Sequence, residues 1–133
     1  MNIEQALQIL GGDFAKCRAN NRNRAFSERE KGGLSVSFHY TKEYGSNIWW
    51  TSEFFDAVDG YDYIIISLQN CGLLVLPRKV VMYDYWANLN VSSLKGGRKN
   101  IRIKSENGKM LLYNRDTQPT IDVTEHLRQC EVD

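Results

Sequence analysis

The chain has 133 residues, 42% hydrophobic and 25% charged, proportions of an ordinary soluble domain long enough to bury about two thirds of its unfolded surface. Seventeen Lys and Arg against sixteen Asp and Glu leave a net charge of +1, which excludes both an acidic solvating chain and a uniformly basic, histone-like one. Cys17, Cys71 and Cys130 show no C-x-x-C spacing and, with two histidines, complete no recognisable zinc set, so no metal and no cofactor is expected and the thiols are expected reduced, in the cytoplasm.

Residues 1–10 lack the long apolar core of a signal peptide, and no run is long enough to span a bilayer. Asn2, with Gln5 three residues later, Ile3, Ala6, Leu7 and Leu10 at helical spacing and Gly11 beyond them, predicts a capped amphipathic helix. Residues 12–33 are polar, with Phe14 and Phe26 as their only large apolar residues, and read as a loop or a weak helix tied down by those two rings. Leu34, Val36, Phe38 and Tyr40 alternate with Ser35, Ser37 and His39, the period of a strand with one buried face. After Gly45-Ser46-Asn47, Ile48-Trp49-Trp50 reads as a short strand. Thr51 or Ser52 then caps a short helix containing Phe54, Phe55 and Val58, with Glu53 in its first turn.

Tyr61–Leu68 carries the strongest strand signal, and its continuous Ile64-Ile65-Ile66 predicts apolar cover on both faces. Leu73–Leu76 pairs back as a hairpin. Pro77 is placed to open a helix whose inner face holds Val80, Val81, Tyr85 and Trp86, and residues 88–97 are polar and loose. Ile101 and Ile103 face Met110, Leu111 and Tyr113 across Asn107-Gly108, the dipeptide that best tolerates the positive φ of a tight turn. Asp122 with Glu125 resembles a capping box for a last helix through Leu127. The sum is a single α+β domain over residues 1–133: a central, mostly antiparallel sheet of about five to seven strands, with short helices at both termini and in between.

The inventory of reactive groups gives little to an enzyme, and no catalytic residue is assigned. His39 on a strand and His126 in a helix adjoin no nucleophile motif, and no basic residue flanks Cys71 to lower its thiol pKa. Glu53, Asp56, Asp59 and Asp62 form an acidic run that would suit magnesium in a small metal-dependent nuclease, or simply a solvated helix face. Gly11-Gly12, Gly32-Gly33 and Gly96-Gly97 belong to no phosphate-loop fingerprint.

Charge distribution says more than the total. Residues 16–31 hold six basic and two acidic groups, and residues 95–115 seven basic and one acidic. Arg22 and Arg24 stand in the first region; Lys95, Arg98, Lys99, Arg102 and Lys104 run from a glycine-containing loop into a strand in the second. Such a row suits phosphates, whose neutralisation releases counterions and makes binding salt-dependent; the alternative is a solvated hairpin balancing the acidic tail. Tyr40, Tyr44, Trp49 and Trp50 cluster near Lys42. Adjacent strand residues face opposite ways, so one of Trp49 and Trp50 faces the core and the other outward, where an indole stacks on a base; simple packing of both is the alternative.

The strand Leu34-Ser35-Val36-Ser37-Phe38, the aromatic Ile48-Trp49-Trp50, Tyr61–Leu68 answered by Leu73-Leu74-Val75-Leu76-Pro77, and the late Ile101-Arg102-Ile103 and Ile121-Asp122-Val123 together resemble the DNA-recognition domains of bacterial modification-dependent restriction systems. The resemblance spans the chain from Leu34 onward and transfers no functional residue by motif. It implies a DNA-binding domain, acting alone or as a module of a larger restriction or defence protein with a catalytic partner domain or subunit, with double-stranded DNA as its partner and no membrane. Arg22, Arg24, Lys95, Arg98, Lys99 and Arg102 are expected on phosphates and Tyr40, Lys42, Trp49 or Trp50 nearer the bases. A small nuclease and a protein-interaction or inhibitor module built on Tyr44, Trp49 and Trp50 stand as alternatives.

Overall fold

In the computed structural model residues 2–19, 24–27, 34–43, 45–69, 71–116 and 118–128 are described, with backbone alone at 24–27 and 42–43. The chain opens as predicted with helix α1 (Ile3–Leu10). The Asn2 side chain accepts from the Gln5 amide at 2.8 Å and the Gln5 side chain from the Asn2 amide at 2.9 Å, satisfying two N–H groups that a helix start otherwise leaves orphaned. Ile3, Ala6 and Leu7 form the buried stripe.

The polar stretch that follows is not simply loop. It holds a single helical turn, α2 (Gly12–Ala15), then strands β1 (Cys17–Ala19) and β2 (Arg24–Ser27), paired antiparallel from Cys17↔Ser27 to Ala19↔Ala25. Such short, charged strands belong at a sheet edge and carry too few apolar residues to show a period in sequence. Phe14 meets Tyr63 edge-to-face at 5.3 Å, the tie expected of it; Phe26 lies outside the described side chains.

Strand β3 (Ser35–Tyr40) leads through Thr41 alone into β4 (Lys42–Glu43) and then β5 (Ile48–Phe54), which belong to a second sheet. The predicted helix start at Thr51 or Ser52 is replaced by strand: β5 runs on to Phe54 and helix α3 (Phe55–Asp59) begins with no side-chain cap. Cross-strand pairing far along the chain, Thr51↔Ile101 and Glu53↔Lys99, outweighs a local cap worth about 1 kcal/mol. The chain then returns to the first sheet as β6 (Tyr63–Leu68), parallel to β3, and turns back as β7 (Gly72–Pro77). Pro77 closes that strand, and an inserted π-helix, Val80–Ala87, follows with Val80, Val81, Tyr85 and Trp86 buried as expected.

Strands β8 (Arg98–Glu106) and β9 (Lys109–Tyr113) form the predicted hairpin, with Asn107 at φ 53° and Gly108 at φ 79° in its turn. The expected last helix shrinks to a single 3-10 turn. After β10 (Ile121–Asp122) the Asp122 carboxylate accepts from the Thr124 amide and hydroxyl at 3.0 and 2.6 Å, closing one 3-10 turn, Thr124–His126. The chain then adds β11 (Leu127–Arg128) to the edge at β7.

The class is α+β, but the strands divide into two sheets rather than one: a six-stranded sheet, β1-β2-β3-β6-β7-β11, and a five-stranded one, β10-β9-β8-β5-β4. The isoleucine run explains the layering. Ile65 joins Val36, Phe38, Leu73 and Val75 against α1, whereas Ile64 and Ile66 join Leu74 and Leu76 in a larger core shared with the π-helix and with Trp49, Ile101, Ile103 and Leu112 of the second sheet. The six-stranded sheet is thus covered on both faces, while among the described residues the outer face of the five-stranded sheet is largely open, Leu111 at 9% being its buried member. No helix among the described residues is long and apolar enough to cross a membrane.

Candidate nucleic-acid interface

The outer face of the five-stranded sheet follows from register. Directly opposed residues of antiparallel strands share a face, so Ile48↔Lys104, Trp50↔Arg102, Ser52↔Asn100 and Phe54↔Arg98 between β5 and β8 stand on one side, and Arg102↔Tyr113 and Lys104↔Leu111 carry that side onto β9. The intervening Trp49, Ile101 and Ile103 point into the core. The outer side therefore presents an apolar and aromatic row, Ile48, Trp50 and Phe54, exposed at 38%, 37% and 41%, beside a cationic row on β8.

The two rows are in contact. The Arg98 guanidinium lies 4.5 Å from the centre of the Phe54 ring and the Lys104 ammonium 5.0 Å from that of Tyr113, within range of attraction by a ring's negative face. The Trp50 indole N–H donates to the Asn100 side-chain oxygen at 2.8 Å, which fixes the ring's orientation, and one arm of Arg102 donates to the Asn114 carbonyl at 3.2 Å. Lys104 is paired with Glu106 at 3.3 Å. Arg98 and Arg102, also outward on β8, make no ion pair among the described residues. Ile48, Trp50, Arg102 and Tyr113 line a shallow, open concavity of about 400 Å³.

Below that concavity Tyr85 reaches up from the π-helix. Its hydroxyl accepts from the Arg102 amide at 3.0 Å and donates to the Tyr113 carbonyl at 2.8 Å, bridging β8 and β9 beneath the two residues that line the hollow. Burial pushes the phenol pKa up to about 12, so this bridge keeps its proton at neutral pH.

The ten residues singled out from sequence do not all converge. Trp50, Arg98 and Arg102 meet on the outer face. Trp49 does not: it is 2% exposed, its indole donating to the Gln69 carbonyl at 2.9 Å, so its ring is closed to a base. Lys99 alternates to the other side of β8 and lies 5.8 Å from the Trp86 ring. Lys95 is exposed in the turn before β8. Tyr40 is exposed but ends β3 of the other sheet, edge-on to Phe38 at 4.9 Å. The backbone of Lys42 is paired with Trp50 and that of Arg24 with Ser37; their side chains, and Arg22 and Tyr44 entirely, lie outside the described residues. Tyr113, Ile48, Phe54 and Asn100 were missed; alternation with core residues was readable at Ile48, Asn100 and Tyr113, whereas Phe54 reads locally as part of a helix.

A second polar cluster lies buried between the sheets. His39 Nδ1 is 2.8 Å from Glu53 Oε2, and its Nε2 is 3.0 Å from the Ser37 hydroxyl. The order is that of a Ser-His-acid relay, against the expectation of an ordinary histidine that adjoins no nucleophile motif; Ser37 and His39 two apart on one strand face was the signal available. Ser37 has no exposed surface, so no substrate meets its hydroxyl, and the cluster acts as a polar tie.

The acidic run also disperses. Glu53 is spent on His39 and on the Phe54 amide at 2.8 Å, Asp62 holds the Ser35 amide at 3.0 Å, and Asp56 and Asp59 are exposed on α3. Among the described residues no three His, Cys, Asp or Glu side chains gather to hold a metal ion. The Cys17 thiol pKa is raised by burial and by Asp13, which disfavours the reactive thiolate. Comparison with known proteins returned no matching family, no matching curated protein and no matching solved structure.

Proposed function

We propose that this chain is a non-catalytic nucleic-acid-binding domain whose contact surface is the outer face of the five-stranded sheet. DNA is the polymer implied by its resemblance to restriction-system recognition domains, and a cytoplasmic setting accords with Cys17 and Cys71 being outside any disulfide. One observation carries the reading: alternate residues of β8 align Arg98, Arg102 and Lys104 on an open face beside Trp50 and Tyr113. Cations that neutralise phosphates alternate there with rings that stack on bases, the two contact types that nucleic-acid surfaces combine.

The test is an anisotropy titration of labelled oligonucleotides, single-stranded and duplex, at low and at physiological ionic strength. Binding that weakens as salt rises is expected. No binding at low salt, or binding indifferent to salt, refutes the reading, and capture of a protein partner through Ile48, Trp50 and Phe54 would replace it with the interaction-module alternative.

A further inference from the structure

Resting on the nucleic-acid reading, we propose that the ligand of this face is an unpaired strand of DNA or RNA, with one base seated in the concavity between Ile48, Trp50, Arg102 and Tyr113. Width decides first between duplex and single strand. Five strands leave four gaps of about 4.8 Å, so the face is roughly 19 Å across, whereas the major groove of B-DNA is about 12 Å wide and admits a helix or a two-stranded ribbon. The sheet face is too wide to enter the major groove of an unbent duplex, where base edges are most fully displayed.

Spacing places the backbone. Outward residues along β8 recur about every 6.8 Å, so Arg98 and Arg102 stand about 13.6 Å apart, the rise of about four stacked nucleotides at about 3.4 Å each. A strand laid along β8 therefore sets phosphates on both arginines, and the bases of an unpaired strand need surfaces to cover their faces. The row on β5 supplies them, one strand away.

The concavity has the chemistry to hold such a base. Trp50, Arg102 and Tyr113 occupy one row across β5, β8 and β9, so a guanidinium stands between two rings. Arg102 commits one arm to the Asn114 carbonyl and retains the other donors of its fork for a phosphate or a base edge. The hollow is shallow and open to solvent on one side, so a base lies against its walls with one edge left in water. Asn100 fixes the indole and Tyr85 fixes the backbone of Arg102 and Tyr113, so little ordering is left for the moment of binding. Because stacking accepts any base, affinity should depend weakly on sequence.

Oligodeoxyuridylate, oligouridylate and a duplex of the same length serve as probes, with tryptophan emission and anisotropy read together. Trp49 and Trp86 are 2% and 1% exposed, so quenching by a bound base reports on Trp50. Both single strands are expected to quench and to bind more tightly than the duplex, the tighter of the two identifying the sugar, and Trp50→Ala should weaken them about fivefold or more. If that variant unfolds, Trp50→Phe and Trp50→Leu replace it: phenylalanine retains affinity and leucine loses it. Duplex binding as tight as single-strand binding, absence of quenching, or equal affinity of the Phe and Leu variants overturns this inference and leaves the broader reading standing. No binding of any probe at low salt overturns both.

Discussion

His39 on one sheet and Glu53 on the other meet at 2.8 Å, in a gap where His39 is 6% exposed and Glu53 7%. The carboxylate accepts on both oxygens, since Oε1 also takes the Phe54 amide at 2.8 Å. Glu53→Ala orphans a buried imidazole N–H and that amide, and is expected to destabilise the fold by roughly 1–3 kcal/mol in urea titrations. A double-mutant cycle with His39→Phe should return a coupling energy above about 0.5 kcal/mol; strict additivity would mean that the two groups do not interact. Oligonucleotide affinity should not change, because Glu53 lies on the opposite side of β5 from Trp50 and Phe54.

Tyr85 gives a prediction with a pH signature. Tyr85→Phe strips the bridge from the Arg102 amide and the Tyr113 carbonyl and should cost about 1–3 kcal/mol. Burial raises the phenol from its ordinary 10 to about 12, so the folded state favours the protonated form. That contribution is therefore complete below pH 10 and is lost as pH rises through about 12. At 1.36 kcal/mol per pKa unit the alkaline loss is on the order of 2–3 kcal/mol. Stability measured by denaturant between those limits should fall in the wild type and fall less in Tyr85→Phe; parallel curves would show that Tyr85 is not the titrating group.

Local chemistry was legible and long-range partnership was not. The Asn2–Gln5 box, the isoleucine run and Asn107-Gly108 each determine their structure within a few residues, and each reads directly from sequence. Thr51 and Ser52 suit either a helix cap or a strand, and their fate depends on pairing with residues about fifty positions later. The division into two sheets was hidden for the same reason: a period of two says that a strand has an inner face but not which sheet it joins. Trp49 and Trp50 show the limit at the site. Alternation requires one indole in and one out, yet choosing between them needs the orientation of β5 against the six-stranded sheet. Arg98 and Lys99 pose the same problem on β8, and the described strands of the two basic regions, β1 and β2 in the first and β8 and β9 in the second, belong to different sheets.

The hairpin turn isolates backbone strain from packing. Gly108 sits at φ 79°, and a Cβ built there meets no atom within 4 Å. Any cost of Gly108→Ala is then conformational, about 1–2 kcal/mol for a left-handed residue. Thermal melting should show a fall of that size with the spectrum of the folded state unchanged. A neutral result would mean that the β8–β9 turn adopts another geometry in solution, which would also put in question the register that aligns Arg102 with Tyr113.

Salt dependence separates the two sides of β8. For a single strand, log affinity falls against log salt with a slope of about −0.7 per neutralised phosphate. Arg98 and Arg102 face outward, so Arg98→Ala and Arg102→Ala are each expected to flatten the slope by about 0.7. Lys99 carries the same charge one residue from Arg98 but lies against the Trp86 ring, so Lys99→Ala should leave the slope as it was. Lys104 already has Glu106 at 3.3 Å, and its removal should change the slope by less than that of either arginine. Net charge alters equally in all four variants. Equal slopes across the set would therefore assign the effect to the domain's overall field, whereas the alternating response requires contact with the outer face.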